Sequence, residues 1–234
     1  MNISTKGFDI IIPVYNEGIN IIELIDYLKN SSINILKIYI CYDFDEDTSV
    51  FAIKNSKFSK NKNVILIKNQ FTGPCEAIKT GFFHSKANAI VVYPADDFYN
   101  GLLLDKMYNF ILDGYDVICP SRFIKGGIIK NCPLLKYFIV KIVSFALYYF
   151  SRLKIKDPTN GFRMFSKKFL DGVSISSKEG FSYSIELLFK AKKQRLKIIE
   201  LPSIWIEREN RKSRFKILKW SPAYLKWFFL AFFI

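Results

Sequence analysis

Residues 8–17 read FDIIIPVYNE. From Phe8 to Ile12 the run is apolar apart from Asp9, which predicts a strand covered on both faces. Pro13-Val14-Tyr15-Asn16-Glu17 then breaks the run and opens a helical pattern from about Glu17 to Lys29. The alternation continues with LKIYIC at 36–41, a helix after Asp45, VILIK at 64–68, a helix over Pro74 to Ser85, AIVVY at 89–93, a helix over Leu102 to Leu112 and DVIC at 116–119. Continuous apolar strands alternating with helices predict an α/β fold, a mostly parallel sheet with helices on both faces. Ligands of such sheets gather at the carboxyl ends of the strands. Four stretches fall there: Pro13 to Glu17, the acidic run Asp43 to Asp47, Ala95-Asp96-Asp97, and Ser121-Arg122.

The chain has 234 residues, 50% hydrophobic and 17% aromatic, which excludes a disordered polyelectrolyte. Its formal charge of +14 is unevenly placed: residues 1–117 carry 11 basic and 14 acidic side chains, whereas residues 118–234 carry 24 and 7. A basic half attracts nucleic acid, a sugar nucleotide or the anionic face of a membrane. Nucleic acid is disfavoured, because the late basic cluster has no matching groove-entering helix or RNP-type aromatic pattern. Cys41, Cys75, Cys119 and Cys132 show neither paired nor metal-type spacing and are expected to be reduced core residues of a cytosol-facing protein.

The first residues are not expected to act as a signal peptide, and no run reaches the ~18 to 20 apolar residues of a spanning helix. Two segments come close, Leu134 to Leu153 and Trp220 to Ile234. Their lysines and interfacial aromatics suit amphipathic helices lying on a bilayer, with an internal core helix and a frayed tail as the alternative. One domain is expected over residues 1–215 and a membrane-associating tail over 216–234.

Asp96 and Asp97 follow an apolar strand, where hard carboxylate oxygens suit Mg²⁺ or Mn²⁺ holding a diphosphate, although such pairs are also common in solvated turns. Asp45, Glu46 and Asp47 read as capping residues of the next helix, leaving Asp43 as the candidate binding group of that run. Glu207 to Phe215, after a strand-like Ile198 to Ile206, carries Arg208, Arg211, Lys212 and Arg214; guanidinium forks of this kind grip phosphate, or line a solvated face. His84, the sole histidine, sits in a predicted helix, so no Ser/His/Asp or Cys/His relay is expected.

In order along the chain, IPVYNE, the acidic segment after the second strand, AIKTGF at 77–82, YPADD at 93–97, PSRF at 120–123, DPTNGFRMFS at 157–166, EGFSYSIELLFKAK at 179–192 and ELPSIWIERENRKSRF at 200–215 resemble family 2 glycosyltransferases. Within that family they are most similar to the dolichol-phosphate or polyprenyl-phosphate mannose and glucose synthases. The similarity runs from about residue 8 to residue 227. It implies a GT-A fold, a GDP- or UDP-hexose donor, a divalent metal (Mg²⁺ or Mn²⁺), and a polyprenyl phosphate acceptor met at the cytoplasmic face of a membrane. By position it assigns Pro13, Tyr15 and Glu17 to the nucleotide, Arg122, Arg208 and Arg214 to phosphates, and Asp96 to the second aspartate of the DxD motif. Three positions depart from the pattern: Pro94 stands where the first DxD aspartate belongs, so that either Asp97 substitutes as a ligand or the metal is held more weakly; Tyr42 replaces an aspartate of the VDDGS segment; and Arg211 replaces a loop glycine.

A lipid phosphate is ionised near neutral pH, with a second pKa of about 6, so transfer to it needs no general base. The expected work is charge management and positioning: Asp96 with its metal, Arg208 and Arg214 at the departing diphosphate, Arg122 and Lys136 at the acceptor phosphate, with inversion of the sugar. Asp157, Asn160 and Arg163 either build the acceptor side or order a turn of the sheet, and Glu186 is either an arginine partner or a surface carboxylate. Two other readings stay open: transfer to a glycan or other hydroxyl acceptor, and a catalytically impaired module that binds a membrane or partner.

Overall fold

The computed structural model describes residues 6–151, 153–207 and 217–233. Its centre is a seven-stranded sheet in the order β3-β2-β1-β4-β7-β5-β8, formed by β1 (Phe8–Pro13), β2 (Ile35–Tyr42), β3 (Val64–Lys68), β4 (Ala89–Val92), β5 (Val117–Ser121), β7 (Arg163–Ser166) and β8 (Ile198–Pro202). All neighbours pair in parallel except β7, which lies antiparallel between β4 and β5. A second, two-stranded sheet pairs β6 (Ile128–Lys130) with β9 (Ile204–Ile206).

Strand periodicity sorts the core into two layers. Ile10, Ile12, Ile38, Ile40 and Val91 face α1 (Asn20–Ser31), α2 (Thr48–Lys54) and α4 (Leu103–Leu112). Ile11, Tyr39, Cys41, Ile90 and Val92 face α3 (Pro74–His84), α6 (Lys167–Asp171) and α7 (Tyr183–Lys193). Each fully buried Ile or Val contributes about 1.5–3 kcal/mol, so unbroken apolar strands are what a doubly covered sheet requires. At Gly81 an added Cβ would lie 2.5 Å from the Ile11 side chain, which explains why AIKTGF keeps a glycine inside a helix packed on β1.

A third layer rests on α7. There α5 (Leu134–Phe150) and α8 (Ile217–Leu230), followed by a short 3-10 turn at Ala231–Phe233, bury Leu147, Trp227 and Ala231 against Ile185. Tyr224 accepts the Phe181 N–H through its hydroxyl, and Trp227 Nε1 donates to Ser177 Oγ at 2.8 Å. Much of both helices stays outside: Leu134, Leu135, Phe138, Ile142, Phe145, Tyr149 and Phe150 of α5, and Leu225 and Phe229 of α8, are exposed. No helix among the described residues is long and apolar enough to cross a membrane.

The structure corrects several local expectations. Residues 198–206 are two strands, because Pro202 ends the pairing with β5 and Ser203 turns the chain: its N–H donates to Ser121 and its carbonyl accepts from Ile128 of the small sheet. The helix expected from Glu17 begins at Asn20, since Asn16 and Gly18 take left-handed backbone angles (φ 54° and 59°) in the turn before it. Cys41, Cys75 and Cys119 are buried thiols, but Cys132 is only half-buried in the loop before α5.

Candidate active site

Since β1, β2, β4 and β5 run the same way, their carboxyl ends share one edge, and β7 brings its amino end there, with Arg163 opposite Val92. The loops after β1, β2 and β3 are laced together. Asp47 caps α2 by accepting Ser49 N–H at 2.8 Å and takes Asn16 N–H at 2.9 Å with its other oxygen. Asn16 answers by accepting Thr48 N–H, Glu17 N–H donates to Ser49 Oγ, and Gly18 N–H donates to Thr48 Oγ1. Asp43 extends the lacing to the next loop, its two oxygens accepting Asn69 Nδ2 and Gly73 N–H at 2.9 Å each.

Pro13 ends β1 beside Cys41, and Tyr15 stands exposed with its ring 5.5 Å from Phe44, edge to face. Glu17 is buried in the turn. The capping role expected for Asp47 holds; Asp45 instead reaches Lys68 on the surface. Tyr42, at the departure from the VDDGS pattern, is buried in the core layer under α1 and α2.

After β4, the two aspartates divide. Asp97 accepts Tyr99 N–H, Asn100 N–H and Asn100 Nδ2 at 2.8, 3.1 and 2.6 Å. Burial raises its carboxyl above the ordinary aspartate value; the hydrogen bonds from Tyr99 and Asn100 pull the other way, and the Asp96 charge adds to the rise. The buried Asn100 also bridges to β9, donating to Ile204 C=O and accepting Ile204 N–H. Asp97 thus fastens a turn, with both of its oxygens engaged by Tyr99 and Asn100. Asp96 is exposed beside it, with no donor among the described residues on its carboxylate. No cluster of three metal-ligating side chains occurs among the described residues. Mg²⁺ or Mn²⁺ bound chiefly by substrate phosphates and water needs only one or two carboxylates, so Asp96 fits that demand by itself.

The residues assigned to the acceptor side are bonded to one another and to nearby backbone. Arg122 gives Nε and Nη2 to the two oxygens of Asp157 at 2.7 Å each, while its backbone N–H donates to Asp157 at 2.9 Å. Burial works against the guanidinium charge, but Asp157 prevails and the Arg122 pKa is raised. Backbone N–H groups of Lys156 and Asp157 are in turn held by Glu200. Asn160 donates to Pro120 C=O and accepts Phe162 N–H. Arg163, fully buried, donates to the carbonyls of Ser184 and Asp157 at 2.9 Å. The DPTNGFR segment is therefore a turn clasped to β5 and α7, and Arg122 presents a neutralised fork rather than a free cation. Glu186 is neither an arginine partner nor a surface group: it is buried, accepting Ser176 N–H, Ser177 N–H and Lys190 Nζ.

Lys136 belongs to the first turn of α5 and donates to both oxygens of Glu207 at 2.8 and 2.9 Å. Trp205, on β9, receives both cations: Arg122 lies 5.0 Å and Lys136 4.5 Å from its ring. Neither Trp205 nor Glu207 stood out in the sequence, where a tryptophan in an apolar strand and an acid beside a basic run look ordinary. Arg208 and Arg214 lie outside the described residues.

The model of the family described as Glycosyl transferase family 2 matches residues 9–173. A dolichol-phosphate mannosyltransferase of Pyrococcus furiosus is 27% identical over 213 residues, 88% of this chain and 58% of that protein, so the chain spans little more than half of that relative. A polyprenol monophosphomannose synthase of Mycolicibacterium smegmatis is 20% identical over 226 residues, 90% of this chain and 85% of that one. Among solved structures, glucosyl-3-phosphoglycerate synthase from Mycobacterium tuberculosis in complex with Mn²⁺, uridine-diphosphate and glucosyl-3-phosphoglycerate has a TM-score of 0.71 at 15% identity, covering 98% of this chain and 81% of that chain. The same synthase with Mg²⁺ and uridine-diphosphate gives 0.70 at 14% identity, covering 98% and 80%. These structures share the GT-A fold with the present one. With the family model covering most of the sheet and its laced strand ends, the chain belongs to glycosyl transferase family 2.

Proposed function

We propose that this glycosyltransferase moves a hexose from a GDP- or UDP-sugar to a polyprenyl phosphate at a membrane surface, with inversion. One observation carries the choice of acceptor. At the active edge Asp43, Asp47 and Asp157 are each engaged by two or more N–H donors, and the exposed Asp96 is given in this reading to the divalent cation, which leaves no carboxylate assigned as a base. A hydroxyl acceptor needs such a base; a phosphate arrives already ionised. The names of the two relatives and the exposed apolar sides of α5 and α8, with Lys141 and Lys226 on the same helices, support the lipid end of the reading.

In this mechanism the laced loops hold Pro13, Tyr15 and Asp43 against the nucleotide, with Tyr15 and Phe44 offering an aromatic edge to it. Asp96 would hold the divalent cation, which would supply positive charge to the diphosphate. Arg208 and Arg214 add cations at the leaving group. Lys136, with what remains of the Arg122 fork, holds the acceptor phosphate in line with the anomeric carbon, and that positioning replaces base chemistry.

The test is transfer of label from GDP-mannose, UDP-glucose and related donors to polyprenyl phosphate with Mg²⁺ or Mn²⁺. Labelled lipid that survives mild base and is cleaved by mild acid is expected. Transfer to a sugar hydroxyl only would overturn the acceptor, and failure of GDP and UDP to bind by calorimetry would point to a module without this chemistry.

A further inference from the structure

Two cation–carboxylate pairs meet at Trp205, and they differ in kind. Asp157 is fully buried and is fixed through its own backbone by Glu200, so Arg122 cannot exchange it for another anion without unmaking the turn. Lys136 and Glu207 have side chains 20% and 16% exposed, and Lys136 is the partner described for the Glu207 carboxylate. Both ends of this pair keep some solvent contact, so the Glu207 carboxylate has a route to water that the fully buried Asp157 lacks. When the carboxylate leaves, the Trp205 ring at 4.5 Å still favours a cation in place, and an ammonium accepts a new anion from any side. A phosphate monoester carries more charge than a carboxylate and makes stronger hydrogen bonds. The surroundings suit an anion attached to an apolar chain: Leu134, Leu135 and Phe138 stand exposed around Lys136 on the first turns of α5.

We propose that Glu207 and the acceptor phosphate compete for the Lys136 ammonium, making Glu207 a positioning residue that holds Lys136 ready and sets acceptor affinity. This inference rests on the reading of the acceptor as a lipid phosphate. Binding the acceptor is then an exchange of one anion for another on a single ammonium, with no net burial of an unpaired charge.

Calorimetry with farnesyl phosphate, inorganic phosphate and farnesol separates the sources of affinity. Glu207→Gln is expected to tighten farnesyl phosphate about 2- to 5-fold, the range spanned by losing a partly exposed ion pair. In transfer assays the same variant lowers KM for the lipid and leaves KM for the nucleotide-sugar unmoved, a split that a general loss of structure does not produce. Lys136→Gln weakens binding, and Lys136→Gln/Glu207→Gln binds no more tightly than Lys136→Gln. Unchanged or weaker binding in Glu207→Gln, or tightening that persists without Lys136, overturns the competition while leaving a phosphate acceptor standing. Binding of farnesol as strong as farnesyl phosphate, or of neither, removes the phosphate acceptor and the competition together. Tightening for inorganic phosphate alone would place an anion at Lys136 without a lipid, against the proposal.

Discussion

Arg122 and Asp157, 35 residues apart in sequence, are joined by three N–H donors, two from the guanidinium fork and one from the Arg122 backbone. The pair sits between β5 and the turn that leads into β7, so its first duty is architectural. Removing one partner leaves a buried charge uncompensated, which costs about 3–5 kcal/mol. Asp157→Ala is therefore expected to lower the urea midpoint steeply, with Arg122→Lys losing less stability but the bidentate geometry. Wild-type midpoints in both variants would mean that the turn is held by Asn160 and Arg163 alone.

Asp96 and Asp97 should separate cleanly. Asp96→Ala removes a solvent-facing carboxylate, so stability should stay within about 0.5 kcal/mol of wild type. Mn²⁺ affinity, read by electron paramagnetic resonance, and transfer should both fall, transfer by about 100-fold or more. Asp97→Ala leaves Tyr99 and Asn100 N–H groups without their acceptor and should cost about 1–3 kcal/mol before any effect on the metal. A stable Asp97→Ala protein lacking metal affinity would reverse the assignments.

Glu186 gives the chain a defined acid sensitivity. Burial pushes its carboxyl up, but Lys190 and the donors of Ser176 and Ser177 outweigh that and hold it below the ordinary value of 4.5. A carboxyl depressed on folding stabilises fully above its unfolded pKa and loses that contribution as pH falls through its folded pKa. Below about pH 4.5 the wild-type urea midpoint should therefore decline faster than that of Glu186→Gln, which is weaker at pH 7 and lacks this component. Parallel pH profiles for the two proteins would refute it.

The proposed membrane contact assigns the apolar sides of α5 and α8 to the lipid surface. Phe138→Glu and Phe145→Glu alter exposed side chains and should leave the thermal midpoint nearly unchanged. Both should reduce sedimentation with vesicles containing anionic lipid, and added salt should release wild-type protein by screening its lysines. Equal co-sedimentation of both variants with wild type would exclude α5 from the contact.

The strands of the main sheet were legible because burial on both faces leaves an unbroken apolar run, as in β1, β2 and β4. β7 was not: RMFS is short, begins with an arginine and ends with a serine, and only its neighbours make it a strand. The strand-end loops could be located in the sequence, but not the use each carboxylate is put to. Whether an aspartate is spent on backbone N–H groups, as Asp43, Asp47 and Asp97 are, depends on loops that arrive from elsewhere. Glu207 and Lys136 lie 71 residues apart, beyond any local pattern.

The antiparallel insertion of β7 also sets a timetable for synthesis. β5 and β8 reach the rest of the sheet only through β7, and β4, with all four residues apolar and buried in the finished protein, has β7 as its partner on that side. As the chain leaves the ribosome, β4 carries an open edge until residue 166 has emerged, roughly 70 residues after the strand itself. Unpaired apolar edges seek other strands. Nascent chains halted within α5 should therefore be the most prone to aggregate, and those that have passed Ser166 the first able to close the sheet.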